Sequence, residues 1–198
     1  MSLHVPRPRR LTLAALLLLA VLAIAAAPAA ARGGDHRAYG ATTLKLDPAA
    51  VSALTGLGVT PAPIAPARAV SADELAFPIT NSLRNALRTG LIRHSGGISL
   101  TAGQTTVNLN DFVIDPLRGQ LTALVGNARV PILELDFSRA RPTLGFGTLR
   151  LGPVGGSLTT QAAAALNAAF GLPSGTVPAG LKLGDATVRY RLFGGWHR

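Results

Sequence analysis

The segment Arg93-His94-Ser95-Gly96-Gly97 sets a histidine beside a serine, two of the residue types that nucleophilic hydrolysis uses. On a strand, neighbouring side chains point to opposite faces, and no G-x-S-x-G elbow or partner acid stands nearby. Adjacency therefore gives no dyad, and a secreted hydrolase is the least favoured function. Two carboxylate pairs, Asp111 with Asp115 and Glu134 with Asp136, have the residue types of a glycosidase. That chemistry needs them ~5 to 9.5 Å apart across a cleft. A sugar site would also use aromatic platforms, and the chain has only two tyrosines, one tryptophan and six phenylalanines. The simpler expectation is surface pairing of these acids with Arg118, Arg129, Arg139 or Arg141. Asn108, Asn110 and Asp111 offer oxygen ligands without an EF-hand pattern, and His36, His94 and His197 lack zinc-ligand spacing. No catalytic or metal set is assigned. His94 is left as a candidate ligand-contact residue, with Phe77 and Phe112 as candidate apolar walls beside it.

The elements that would position these residues are mostly strands. Thr42–Leu46 reads as a strand, followed by Asp47 as N-cap and Pro48 as first residue of a short helix through Leu54, stopped near Gly56. Pro61, Pro63 and Pro66 enforce an extended path. Strands are then expected over Leu75–Thr80, Gly90–His94, Gly97–Thr101, Thr105–Asp115, Gln120–Val125, Val130–Phe137 and Thr143–Leu151. Within Thr105–Asp115, Val107 and Leu109 share one parity while Phe112 and Ile114 have the other, so a bulge is expected near Asn110 and Asp111. Thr159–Phe170 is the best helix. The last strand, Ala186–Phe193, turns Val188, Tyr190 and Leu192 inward and Arg189 and Arg191 outward. The sum is a mainly β protein, an antiparallel β-sandwich or β-roll with one or two short helices. Core truncations Leu109→Ala and Leu135→Ala should each lose ~2 to 5 kcal/mol, whereas His94→Ala should change stability little.

Arg7, Arg9 and Arg10 precede an apolar run from Leu11 to Ala27, and Ala29, Ala30 and Ala31 follow Pro28. This is the pattern of a signal peptide over residues 1–31, of the general or the twin-arginine type. Residues 32–40 then form a polar, glycine-rich flexible leader, and 41–198 a single β-rich extracytoplasmic domain. The expected location is secreted or at the cell surface. With no cysteine there is no disulfide framework, so packing must supply the stability. The net charge of +10 favours an anionic cell-wall or membrane surface as partner. The cations are scattered singly and aromatic platforms are scarce, which argues against nucleic acid.

The stretches GLIRHSGGISL, TVNLNDFVID, GQLTALV and ILELDFS, between Gly90 and Ser138, together with Leu158 through Phe170, resemble the haem-transport-associated (HtaA-like) domain of actinobacterial secreted proteins. The resemblance implies a β-rich, non-enzymatic binding or surface-structural module. It also implies haem as a cofactor, with His94 at the hairpin corner as support to an iron-ligating tyrosine. The expected tyrosine is absent: the region before His94 holds Phe77, and the tyrosines are Tyr39, in the leader, and Tyr190, in the last strand. The alternative is a carrier of haem or another apolar small ligand lined by His94.

Overall fold

The computed structural model describes residues 38–192. The expected signal peptide and most of the expected leader lie outside the described residues, and β1 already begins at Gly40. Twelve strands follow in chain order: β1 (Gly40–Leu46), β2 (Thr60–Ile64), β3 (Arg68–Ser71), β4 (Glu74–Ile79), β5 (Ile92–Arg93), β6 (Gly97–Ala102), β7 (Thr105–Asp115), β8 (Gln120–Val125), β9 (Ala128–Asp136), β10 (Arg141–Gly145), β11 (Thr148–Leu158) and β12 (Lys182–Arg191). Three short helices interrupt them: α1 (Pro48–Gly56), α2 (Leu83–Thr89) and α3 (Thr160–Ala169).

All pairings are antiparallel and join one sheet in the order β2-β6-β7-β8-β9-β11-β12-β1-β4-β3, with β10 on β11 and β5 on β7. The sheet curls into a nearly closed barrel, not the sandwich or roll expected. Alternation of inward apolar and outward polar residues is the same for all three architectures, so the sequence pattern does not separate them. Closure is made by a short seam. Ile79, at the end of β4, bridges to His94. Thr80 N donates to Arg93 O (2.8 Å) and Ser95 N to Pro78 O (3.1 Å). His94 N donates in turn to Phe112 O on β7 (2.9 Å), so one residue links the two flanks of the barrel.

The chain signals that positioned the strands also explain the bulge. Register shifts between Asn110 and Val113 in the β7–β8 ladder, and Asp111 takes φ 49°. Leu109 and Phe112 thereby both reach the interior despite opposite parity. Asp47 caps α1 by accepting from Ala49 N (2.9 Å), as expected. Thr159 caps α3 by accepting from Ala162 N (3.0 Å), and its hydroxyl donates to Pro131 O (2.9 Å), which ties the helix to β9.

Four features differ from the sequence reading. Pro61 and Pro63 sit in a strand, β2, which is tolerated because β2 pairs on one side only. β3 and α2 were not expected. Thr143–Leu151 is not one strand but the two arms of a hairpin, turned at Phe146 and Gly147, both with positive φ. A third helix exceeds the one or two expected.

Two hydrophobic clusters fill the barrel. The larger holds Phe77, Leu100, Leu109, Phe112, Leu133 and Leu158, with α1 and α3 contributing Leu54, Ala162 and Leu166. The smaller, at the other end, gathers Ile79, Ile92, Ile114, Val188 and Tyr190 around Ala86 of α2. α1 and α3 thus cover one end and α2 the other.

Candidate functional site

His94, Phe77 and Phe112 come together inside the barrel. The two phenyl rings meet edge to face, centroids 5.2 Å apart at 89°, and both are buried. His94 is buried with them, contributed by the closing seam, while Thr42 reaches it from β1. These four residues line an apolar cavity of about 90 Å³ walled also by Leu109, Leu133 and Val188.

Both imidazole nitrogens are engaged. Nε2 lies 2.7 Å from Thr42 Oγ1, and Nδ1 lies 3.1 Å from Phe112 O. A carbonyl can only accept, so Nδ1 carries the proton and donates; Nε2 then accepts from the Thr42 hydroxyl. Neutral imidazole satisfies the whole arrangement. Desolvation pushes the His94 pKa down to about 4, opposed only in part by the bond to Phe112 O. Ser95, the other half of the hydrolytic suspicion, donates its backbone N–H to Pro78 O, and its hydroxyl makes no hydrogen bond to His94, whose ring nitrogens bond to Thr42 and Phe112. The two do not converge.

A second apolar chamber of about 250 Å³ adjoins the first and shares Leu44, Ile98, Leu109 and Leu183 with it. Its remaining wall comes from α1, α3, the segment 172–181 and the strands beneath them, including Leu54, Leu75, Leu100, Leu158, Leu166 and Val177. That segment is strapped down by Asn167 of α3. The Asn167 amide donates to Val177 O (3.0 Å) and its carbonyl accepts from Val177 N (2.8 Å). Sequence reasoning missed this chamber because its wall is assembled from ordinary apolar residues on nine strands and helices. Asn167 in an otherwise alanine-rich helix was the available signal.

The acidic pairs do not form a cleft. Asp115 accepts from Arg118 (3.4 Å), as the surface reading expected, and Asp136 accepts from Ser138 N (2.9 Å), which holds its carboxyl below the usual range. Arg129 donates to Asp111 O (2.9 Å), and Arg139 pairs with Asp185 (2.8 Å) instead of the expected acids. Among the described residues no three His, Asp or Glu side chains gather as a metal set, and no helix is long and apolar enough to cross a membrane.

The site does not fit an axial haem ligand. Nε2 of His94 is occupied by Thr42, Nδ1 by a carbonyl, and neither chamber reaches the ~300 Å³ at which pockets for drug-sized molecules begin. Tyr190 is buried on β12 in the smaller cluster, its hydroxyl without a partner among the described residues and its pKa pushed up to about 12 by desolvation. A phenol held in that state is a poor source of phenolate.

The chain matches no protein-family model, no curated protein and no solved structure.

Proposed function

We propose that this chain is an exported, non-enzymatic binding module that carries a small apolar ligand in its lumen. The observation that carries this reading is the chamber under α1 and α3. Natural cores pack to crystal-like density with few voids larger than a water molecule. A chamber of about 250 Å³ is far larger than such a void. Packing for stability alone gives no reason for such a chamber. An apolar cavity of ~150 Å³ already suffices to bind benzene. The lining offers a ligand dispersion and desolvation, with Thr42 and His94 the polar groups of the inner chamber already satisfied by each other. Selection is therefore by shape and apolarity. The HtaA-like resemblance supports the non-enzymatic, extracytoplasmic part of the reading, while the engaged imidazole favours a ligand other than haem.

The test is titration of residues 32–198 with 1-aminoanthracene followed by its fluorescence, alongside Ala53→Leu, which builds into the outer chamber from α1. Saturable enhancement in the parent, lost in the variant while its Tm rises, supports the lumen as the site. Absence of saturable binding, or equal binding by the filled variant, overturns it. A parallel haem titration followed in the Soret region separates the two carriers: a saturable shift abolished by His94→Ala would restore the haem reading.

A further inference from the structure

The exposed large apolar residues are not spread evenly over the surface. Of the seven among the described residues, Val51 of α1 and Val70 of β3 lie towards the α1 end, whereas Tyr39, Leu87, Leu117, Leu144 and Phe146, which include the four most exposed, lie at the end of the barrel opposite α1 and α3. The register fixes that placement. Tyr39 precedes the first residue of β1 and accepts from Arg191 N at the last residue of β12, and Thr148, which opens β11, pairs with Arg191. Leu87 belongs to α2 and Leu117 to the turn after β7, at this same end.

The β10–β11 hairpin is the extreme case. Leu144 is 74% exposed and Phe146 fully so. β10 is paired only with β11, but the turn itself is anchored on its other side, where Leu192 N donates to Gly147 O (2.8 Å), so the Phe146 side chain is presented from a fixed turn. Phe146 sits at φ 44°, a conformation that costs a non-glycine residue energy and is usually filled by Gly or Asn. Burial cannot compensate it, because the ring is fully exposed.

Behind the tip is a patch of one sign. Arg150 on β11 stands directly opposite Arg189 on β12, and both side chains are exposed on the outer face. Like charges directly opposite one another destabilise a sheet. Arg191, opposite Thr148, extends the row. No carboxylate among the described residues forms an ion pair with any of the three, a property shared with Arg68, Arg84, Arg88, Arg93, Arg129 and Arg141; what sets Arg150 and Arg189 apart is that they face each other across two paired strands. Arg150, Arg189, Leu144 and Phe146 line one shallow concavity, so cation and apolar ring are presented together.

We propose that this end of the barrel docks on an anionic phospholipid surface, with Leu144 and Phe146 entering the interface and Arg150, Arg189 and Arg191 taking the phosphates. A soluble or wall-bound polyanion would neutralise the arginines but give Phe146 no apolar phase. A bilayer satisfies both, with Tyr39 at the headgroup level where tyrosines concentrate. The inference does not depend on what the lumen holds.

The twelve strands, three helices and both hydrophobic clusters lie within residues 40–191, so residues 32–198 contain the whole folded unit for the test. The chain has no cysteine, and a side chain at Gly145 meets open space at an ordinary φ. Gly145→Cys therefore takes a single environment-sensitive fluorophore (NBD) at the hairpin, and Gln104→Cys takes it in the β6–β7 turn at the opposite end. Vesicles of phosphatidylglycerol and phosphatidylcholine should shift the emission at 145 to the blue, with no shift at 104, and neutral phosphatidylcholine vesicles should do neither. Arg150→Gln with Arg189→Gln should weaken the response about tenfold or more, as should raised salt. Phe146→Ser should weaken it comparably while far-ultraviolet circular dichroism stays unchanged. No shift at 145 with anionic vesicles, or equal shifts at both positions, overturns the proposal. So does a shift produced equally by soluble polyphosphate.

Discussion

Thr42 and His94 are 52 positions apart in the chain yet share a hydrogen bond of 2.7 Å inside the barrel. Thr42 comes from β1 and His94 from the seam between β4 and β7, so the bond spans the interior close to where the cylinder closes. Because the His94 backbone N–H and Nδ1 both point to Phe112 O while Nε2 meets Thr42, the ring is held from two opposite sides. A buried histidine bound in this way is a structural element first. It also forms part of the wall of any lumen ligand.

That arrangement makes stability depend on pH in a defined window. The neutral ring fits the site, and its pKa in the fold is about 4 against 6.5 for the free side chain. The unfolded chain thus binds more protons between these values, and stability falls as the pH drops from 6.5 towards 4, by on the order of 3 kcal/mol. Asp73 and Asp136, whose carboxyls are held below 3.8, lose their contributions only at lower pH. Urea midpoints measured at pH 7.5, 6 and 4.5 should decline steadily, and His94→Gln should flatten that slope. An unchanged slope in the variant would reject His94 as its source.

The Thr42–His94 pair should also be strongly coupled. Thr42→Val keeps the shape but leaves Nε2 without a donor, costing about 1–3 kcal/mol. His94→Ala removes two side-chain bonds and opens a hole at the seam, so the small effect expected from sequence is corrected to ~2 kcal/mol or more. The double variant Thr42→Val with His94→Ala should lose less than the sum of the same two changes made singly. Chemical denaturation of all three variants reads the coupling directly.

Much of the fold could be read from residue order. Thr105–Asp115 and Gln120–Val125 coincide with β7 and β8, and the parity conflict between Leu109 and Phe112 located the bulge. What escaped were features whose local chemistry points elsewhere. Pro61 and Pro63 argued against β2, and Phe146 hid a turn because an aromatic residue at positive φ is rare. For the site, His94, Phe77 and Phe112 were legible as candidates. Thr42 was not, since nothing local couples β1 to residue 94. Closure into a barrel rests on one bridge, Ile79 to His94, which no periodicity encodes.

Asn167 should control the cover of the outer chamber. It is buried and satisfies both backbone groups of Val177, and Leu172 N also bonds to its main-chain carbonyl (2.8 Å). Asn167→Ala leaves the N–H and C=O of Val177 unpaired in an apolar setting, at a cost of about 2–4 kcal/mol. The loss should be local as well as global. Hydrogen exchange over residues 172–181 should accelerate far more than in β7 or β8, and uniform acceleration would show that the segment is not a separate cover.

Gly96, next to the seam, should resist replacement by any other residue. It takes φ 77°, and a Cβ built there would lie 2.5 Å from Ala67 N and 2.6 Å from Ile64 O, both backbone atoms that cannot swing away. Those atoms belong to the turn between β2 and β3, whose own bond runs from Ala67 N to Ile64 O (3.1 Å). Gly96 is also held through its carbonyl, which accepts from Asp111 N at the β7 bulge (2.9 Å). Gly96→Ala must therefore displace the β2–β3 turn, the bulge or the His94 seam. A comparison isolates sterics from φ. Gly126, at φ 58° in the β8–β9 turn, has nothing within 4 Å of a Cβ, so Gly126→Ala carries only the left-handed penalty of about 1–2 kcal/mol. Gly96→Ala should exceed it by about 2 kcal/mol or more, read as the difference in urea midpoints. Equal losses would mean that the turn and the seam are not packed against each other as the geometry requires.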